Sequence, residues 1–342
     1  MSEADNVRSF APDRLGVYEV WYSTWNDPKT GQGFWLRYLI EAPLAGHGVP
    51  VFGDAPRGEL WFARFDPYDS ARTFGIHRRY AEFSSSDSPF AVTIGGATHT
   101  NASAVGQLAG NGHTVQWNLR WEPASTTLRF IPDAMYARGG LSSSMVHAPN
   151  AAVPMSGIVT VDGEAYTLDR VLFTQSHVWA RKHTLAWTWA HCHEFEDAPG
   201  AMLELLSGKM ERGAVVLPNM AGIVLVLDGE THRLNQLRHI LGNRATFRPG
   251  KVWFRTGNAS LRVEGTFTCT PDKMLNCPYW DPDGQGLWCA NTEIADATVT
   301  VSRRSGLRWR EHRRLVSRGR AHYEVGGRAS DPAVTTPHVL VA

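Results

Sequence analysis

Between Val171 and Phe195 the chain reads VLFTQSHVWARKHTLAWTWAHCHEF, with large and small residues alternating almost without a break. In an extended backbone successive side chains point to opposite faces. Phe173, His177, Trp179, Arg181, His183, Trp187, Trp189, His191 and His193 then share one parity, while Thr174, Ser176, Val178, Ala180, Thr184, Ala186, Thr188 and Ala190 fill the other. A surface strand normally shows water its polar side. Here the bulky side is both aromatic and titratable, which suits the wall of a cavity. Arg181, Lys182 and His183 read as a turn, so the stretch is two strands.

The rest of the chain agrees with strands. Thirteen tryptophans, 32 glycines and 19 prolines, with few long runs of Ala, Glu, Lys and Leu, describe an all-β protein. Its 342 residues suffice for two domains of ordinary size. A formal charge of +1 provides no global field for nucleic acid or an acidic membrane, so a hydrophobic small molecule is the expected partner. Oligomeric state has no signal in the sequence. The N-terminus MSEADNVRSFAPDRLG lacks the apolar run of a secretory leader, and no stretch approaches membrane-spanning length, so the expectation is a cytoplasmic chain with no membrane span. Cys192, Cys269, Cys277 and Cys289 lack paired C-x-x-C spacing and read as reduced and structural, with a Cys277–Cys289 cystine the alternative in an oxidising compartment. Phosphate-loop, dinucleotide and nucleophile-elbow motifs have no match, and no cofactor is expected.

In chain order, Val17–Trp25 and Phe34–Ile40 form a hairpin about the turn cluster Asn26 to Gly31. Trp21, Trp25, Trp35 and Arg37 share a face if the loop sets that register. Arg37 amid aromatic residues is either an edge residue or a buried cation in need of a partner. Strands follow at Glu59–Asp66, Phe90–Ile94, Val115–Trp121 and Thr127–Ile131. Met135 to Gly157 reads as a long loop of the kind that covers sites. Asp162-Gly163 and Asp228-Gly229 mark tight hairpins. Thr246–Arg255, Ser260–Cys269 and Asp296–Arg303 are strand-like, Ala201–Leu206 is one helical turn or a strand, and the tail from Gly326 reads as peripheral.

The Trp21-Tyr22-Ser23-Thr24-Trp25 hairpin with Phe34-Trp35-Leu36-Arg37, the segment Ser176-His177-Val178-Trp179, the strand Trp187-Thr188-Trp189, and the late Asp281-Pro282-Asp283-Gly284 with Cys289-Ala290-Asn291 together resemble a known family. It is that of the two-domain lipocalin-like proteins, which includes AttH-type proteins, carotenoid 1,2-hydratases, tocopherol cyclases and lipocalin-like Diels-Alderases. The resemblance implies two lipocalin- or calycin-like β-barrel or β-sandwich domains, residues 1–184 and 185–342, with an oily cavity in the first barrel lined from the junction. Where the hydratases carry a Tyr-x-Asp pair, this chain has Met202-Leu203-Glu204.

Protonating an alkene requires an acid held in an apolar pocket, where desolvation keeps a carboxyl protonated; Glu204 is suited to this. Its alternative is an exposed strand face. His177 is either the functional histidine of the resemblance or a hydrogen-bonded structural one. Arg37 and Arg181 are placed to polarise a carbonyl. His177, Glu204 and Arg37 are thus the expected catalytic set. Trp21, Tyr22, Trp35, Trp179, Arg181, Trp187, Trp189 and His191 are the expected substrate contacts. His191-Cys192-His193 projects two imidazoles to one side, as metal-binding barrels do, with Glu196 or Asp197 nearby, but Leu185 stands where a cupin-type site has glycine, and no metal is assigned. The expected activity is a cofactor-independent cyclase or isomerase acting on a polyene, isoprenoid or polyketide-like substrate, with hydration of an isoprenoid double bond and non-catalytic carriage as alternatives.

Overall fold

The computed structural model describes residues 2–48, 52–137, 144–209, 211–212, 215–216, 219–240 and 242–341. The first half contains β1 (Val17–Asn26), β2 (Gly33–Ala42), β3 (Arg57–Phe65), β4 (Phe74–Tyr80), β5 (Phe83–Asp87), β6 (Phe90–Ile94), β7 (Ala97–Thr100), β8 (Ser103–Gly110), β9 (His113–Trp121), β10 (Leu128–Arg129), β11 (Ser144–Val161) and β12 (Glu164–Ala180). They pair antiparallel in the order β4, β3, β2, β1, β12, β11, β9, β8, β7, β6, β5, with β10 also on β11. The sheet curls around a core that includes Trp21, Trp25, Phe34, Tyr38, Phe62, Trp117 and Phe173.

After a break at 181–185 the partners change. β13 (Ala186–Cys192), β14 (Met202–Lys209), β15 (Glu211–Arg212), β16 (Val215–Val216), β17 (Met220–Leu227), β18 (Glu230–Arg233), β19 (Arg244–Arg248), β20 (Lys251–Gly257), β21 (Leu261–Thr268), β22 (Leu275–Trp280), β23 (Gly286–Ser305), β24 (Arg308–Gly327) and β25 (Thr336–Val341) follow. The second sheet runs β18, β17, β14, β13, β24, β23, β21, β20, β19, with β22 on the first part of β23 and β15–β16 a separate pair. It surrounds its own core around Leu203, Leu225, Phe254, Phe267 and Tyr323. Ala201–Leu206 thus resolves into the strand β14.

Several local expectations hold for a backbone reason. Asp162, Gly163, Asp228 and Gly229 all have positive φ, as a two-residue type I′ turn requires. All four cysteines are free, although Cys277 lies opposite Cys289 on paired strands.

Three expectations are corrected. The hairpin register sets Trp21 opposite Tyr38 and Trp25 opposite Phe34, while Tyr22 faces Arg37 and Thr24 faces Trp35. Trp21 and Trp25 therefore point into the first core, and Trp35 and Arg37 point away from it, because a shift of one residue exchanges the two faces of a strand. The stretch Met135–Gly157 is strand from Ser144 onward, its turn-like composition absorbed by bulges near Asn150 and Val153 and by a left-handed Ala152; residues 138–143 of that expected loop lie outside the described residues. The tail is not peripheral. β25 lies parallel to both β22 and β4, joining the two sheets, and buries His338.

A polar seam also joins the sheets. Thr174 Oγ1 lies 3.1 Å from His191 Nε2 and 3.1 Å from His193 Nδ1, and His322 Nε2 donates to Asn26 Oδ1 at 2.7 Å. Asn26 Nδ2 donates to the Glu293 carbonyl at 2.7 Å. Among the described residues no group of three His, Cys, Asp or Glu side chains is arranged to hold a metal.

Burial holds His99 and His147 down at about 4 and His191 at about 3, and it depresses His77, His193, His322 and His338 well below the ordinary histidine range. These rings stay neutral in the fold while the unfolded chain takes up protons below about 6.5, so acidification favours unfolding. Burial pushes Glu41, Glu194, Glu204 and Glu293 upward, so the fold keeps protons that the unfolded chain releases, the opposite sense. The histidines outnumber these carboxyls. The thermal midpoint should fall by at least about 5 °C between pH 6.5 and pH 4.5, measured by circular dichroism; a flat or rising midpoint would contradict the neutral histidine seam.

Candidate functional site

The outward face of the first sheet and the facing strands of the second enclose an apolar cavity of about 210 Å³. β1 contributes Tyr18, Val20 and Tyr22, β2 contributes Trp35 and Arg37, and β12 contributes Val178. Across from them stand Trp187 and Trp189 of β13, Leu206 of β14, Tyr279 of β22, Asn291 of β23 and Glu324 of β24, with Phe130 to Pro132 and Met135 at one side. The side chains follow strand parity: Tyr18, Val20 and Tyr22 alternate with Glu19, Trp21 and Ser23 on the opposite face. Trp187 owes its place to Gly326, since a Cβ there would sit 2.0 Å from the indole ring. Tyr22 meets Trp189 edge-on at 5.6 Å between ring centres.

Few polar groups break this aromatic wall. Arg37 is 4% exposed, and its guanidinium carbon lies 4.9 Å from the Trp61 ring centre and 4.6 Å from that of Tyr279. Its Nε and Nη1 have no hydrogen-bond partner. His183 stacks on Tyr18 at 4.7 Å and on Trp187 at 5.0 Å. Its Nδ1 lies 2.7 Å from Asp281 Oδ1, which also accepts the His183 backbone N–H at 2.9 Å. Asp281 opens the turn Asp281-Pro282-Asp283-Gly284, closed by Gly284 N–H on the Asp281 carbonyl and a left-handed Gly284. Lys182 bonds Asp283 at 3.1 Å, so this turn anchors the 181–185 link from outside. Glu324 accepts from Trp187 Nε1 at 2.9 Å and from Cys289 Sγ at 3.4 Å. Burial pushes the Tyr22 and Tyr279 phenols well above their ordinary range, so both remain neutral donors.

The expected site residues divide into three groups. Tyr22, Trp35, Arg37, Trp187 and Trp189 come together on the cavity wall. Glu204 and His191 lie one layer behind it. Glu204 accepts from Trp189 Nε1 at 3.0 Å and contacts His191 Nδ1, and burial raises its carboxyl well above the ordinary range.

Trp21, His177 and Trp179 lie on the other face of the first sheet. His177 is fully buried, stacked on Trp21 at 4.9 Å and beside Trp179 at 4.9 Å. There the N-terminal helix α1 (Ser2–Asn6) stops the barrel: His177 Nδ1 and His147 Nε2 both meet the Asp5 carbonyl at 2.8 Å, and His177 Nε2 meets Glu19 Oε1 at 2.8 Å. Trp21 Nε1 donates to the Asn6 carbonyl at 2.9 Å. The expected oily chamber inside the first barrel is thus replaced by a chamber between the sheets, because the chain's own N-terminus fills the barrel end that His177 faces. Arg181 is exposed in the link and does not line the cavity.

Tyr18, His183, Tyr279 and Glu324 were not singled out from sequence. Asp281 and Asn291 did stand in the stretches that carried the resemblance, and that was the available signal. Nothing in the local pattern around Glu324, in a long charged strand, distinguishes it.

Comparison with known proteins agrees with this architecture. Two uncharacterised proteins of Mycobacterium tuberculosis, strains CDC 1551 and H37Rv, are each 26% identical over 342 residues, covering 95% of this chain and 92% of theirs. The crystal structure of a protein from Nitrosomonas europaea assigned as AttH superposes with a TM-score of 0.53 at 15% identity, over 95% of this chain and 96% of that one, which establishes an all-β lipocalin-like fold. The tocopherol cyclase-like family matches residues 15–327, from just before β1, which carries Tyr18, to the end of β24, which carries Glu324. Both walls of the cavity fall within that span, and the chain belongs to the tocopherol cyclase-like family.

Proposed function

We propose that this protein is a cofactor-independent cyclase or isomerase that folds a hydrophobic, unsaturated substrate of polyene, isoprenoid or polyketide type within the chamber between its sheets. Membership of the tocopherol cyclase-like family supports a cyclase-like role. The observation that carries the reading is a wall of Tyr18, Tyr22, Trp35, Trp187, Trp189 and Tyr279 interrupted by an Asp281-anchored histidine. A rigid aromatic chamber holds a flexible chain in one reactive conformer, and pre-organisation of that kind is worth roughly 7 to 11 kcal/mol in favourable intramolecular cases. The indole faces stabilise cationic character as it develops.

Proton handling falls to His183. With Asp281 holding Nδ1, Nε2 is the atom left to exchange a proton with substrate. In ring closure, protonated Nε2 gives its proton to one alkene carbon, the neighbouring carbon takes up positive character under the indole faces and is attacked by a hydroxyl of the same substrate, and that hydroxyl's proton returns to Nε2, leaving composition unchanged. Glu204 acts as a positioning residue, holding the Trp189 indole from behind. His177 takes no part in this scheme.

Three outcomes separate the readings when a lipid extract of the native host is incubated with the protein and followed by mass spectrometry. The expected result is one compound consumed and another formed at identical mass. A product heavier by one water would replace this proposal with hydration, and an unchanged ligand that quenches tryptophan fluorescence would replace it with carriage. His183→Asn should lower kcat about 10²- to 10⁴-fold while ligand quenching is retained; unchanged turnover would remove His183 from the chemistry. Glu204→Gln should act mainly on KM, with kcat within about threefold of the parent protein, as expected when binding geometry rather than proton transfer is disturbed. A kcat loss as large as that of the His183 variant would restore Glu204 to a catalytic role.

A further inference from the structure

Arg37 is a buried cation that lines the chamber and also a small adjoining pocket shared with Glu41, Glu59 and Trp61. Trp35, Trp61 and Tyr279 present ring faces to it at 5.8, 4.9 and 4.6 Å. Behind Trp61, His77 stacks at 3.9 Å, so that the guanidinium rests on a closed aromatic layer. Among the described residues no carboxylate reaches within 4.0 Å of it. The carboxyls that line pockets with it are otherwise engaged: Glu324 accepts from Trp187 and Cys289, Glu41 pairs with Arg57, and Glu59 pairs with Arg57 and Arg79 and accepts from Trp61 Nε1. Nε and Nη1 remain without partners at 4% exposure.

Removing a guanidinium from water without a counter-charge or acceptor is costly, and buried charges are ordinarily paired. Ring faces offset part of this cost but accept none of the directed N–H bonds. The planar fork of an arginine is complementary to two oxygens on one centre. We infer that Arg37 receives an ionised oxygen head group, a carboxylate or a delocalised enolate, so that the ligand of this cavity is an amphiphile with an acidic head and an unsaturated apolar body rather than a hydrocarbon. This rests on the cavity being the substrate site. The acidic head sits at the Trp61 and Tyr279 end, and the apolar body extends along Trp187 and Trp189, which turns the chain in one direction past His183.

The test compares farnesoic acid with its methyl ester, which share a carbon skeleton and differ in charge, by quenching of intrinsic tryptophan fluorescence at pH 7.5. The parent protein should bind the acid at least tenfold more tightly than the ester. Arg37→Gln should abolish that preference with ester affinity little changed, and Arg37→Lys should keep part of it, because a point charge attracts a carboxylate but lacks the fork. Equal affinity for acid and ester in the parent protein, or a preference that survives in Arg37→Gln, would overturn the inference and leave the cavity as an apolar binding site. Binding of neither compound would overturn the inference together with the reading of the cavity on which it rests. The comparison in the parent protein decides the matter even if the glutamine variant fails to fold.

Discussion

The whole arrangement depends on the parity of the β1–β2 hairpin. With Trp21 opposite Tyr38 and Tyr22 opposite Arg37, each strand buries both faces, one in the core of the first sheet and the other against the second. Most antiparallel sheets give one face to water, and doing otherwise requires a second body to cover it. Here the second sheet is that cover. Where its strands touch, Trp35, Trp61 and Phe65 pack against Leu275, Cys277 and Leu287. Where they stand apart, the chamber forms. A one-residue slip of the hairpin would send Trp35 and Arg37 into the first core and empty the chamber of its cation.

Polar groups at the seam are placed with equal economy. Thr174, His191, His193, Asn26 and His322 join the sheets by side-chain bonds in a region with almost no exposure. A network of such bonds constrains relative orientation more sharply than apolar packing, because each bond has a narrow geometry. β25 adds a covalently tethered strand that pairs with one strand from each sheet. The walls of the chamber are therefore held from three sides, which is the rigidity that templating of a flexible substrate needs.

The N-terminal helix decides that the barrel end around His177 is filled, while the chamber that holds His183 stays open. His147 and His177 have the neighbours of a ligand pocket, with Trp21 and Trp179 around them, but both His177 nitrogens are spent on the Asp5 carbonyl and Glu19, and His147 Nε2 is spent on the same carbonyl. His183 has only one nitrogen engaged by Asp281 and stands on an open wall. Fold resemblance points to the general region of a site, whereas the bonding state of each imidazole distinguishes a structural group from one available for chemistry.

Sequence by itself determined the strand content, the Asp-Gly hairpins and the alternation that sets Trp187 and Trp189 on one face, because these follow from local sterics and a period of two. It also singled out Arg37, since a cation inside FWLRY demands an explanation wherever it lies. Only the tertiary structure decided which face of each strand meets the chamber, that Glu324 from a charged distant strand joins it, and that His183 rather than His177 is free. Those outcomes depend on register across a loop and on contacts between residues more than a hundred positions apart, and no local pattern encodes either.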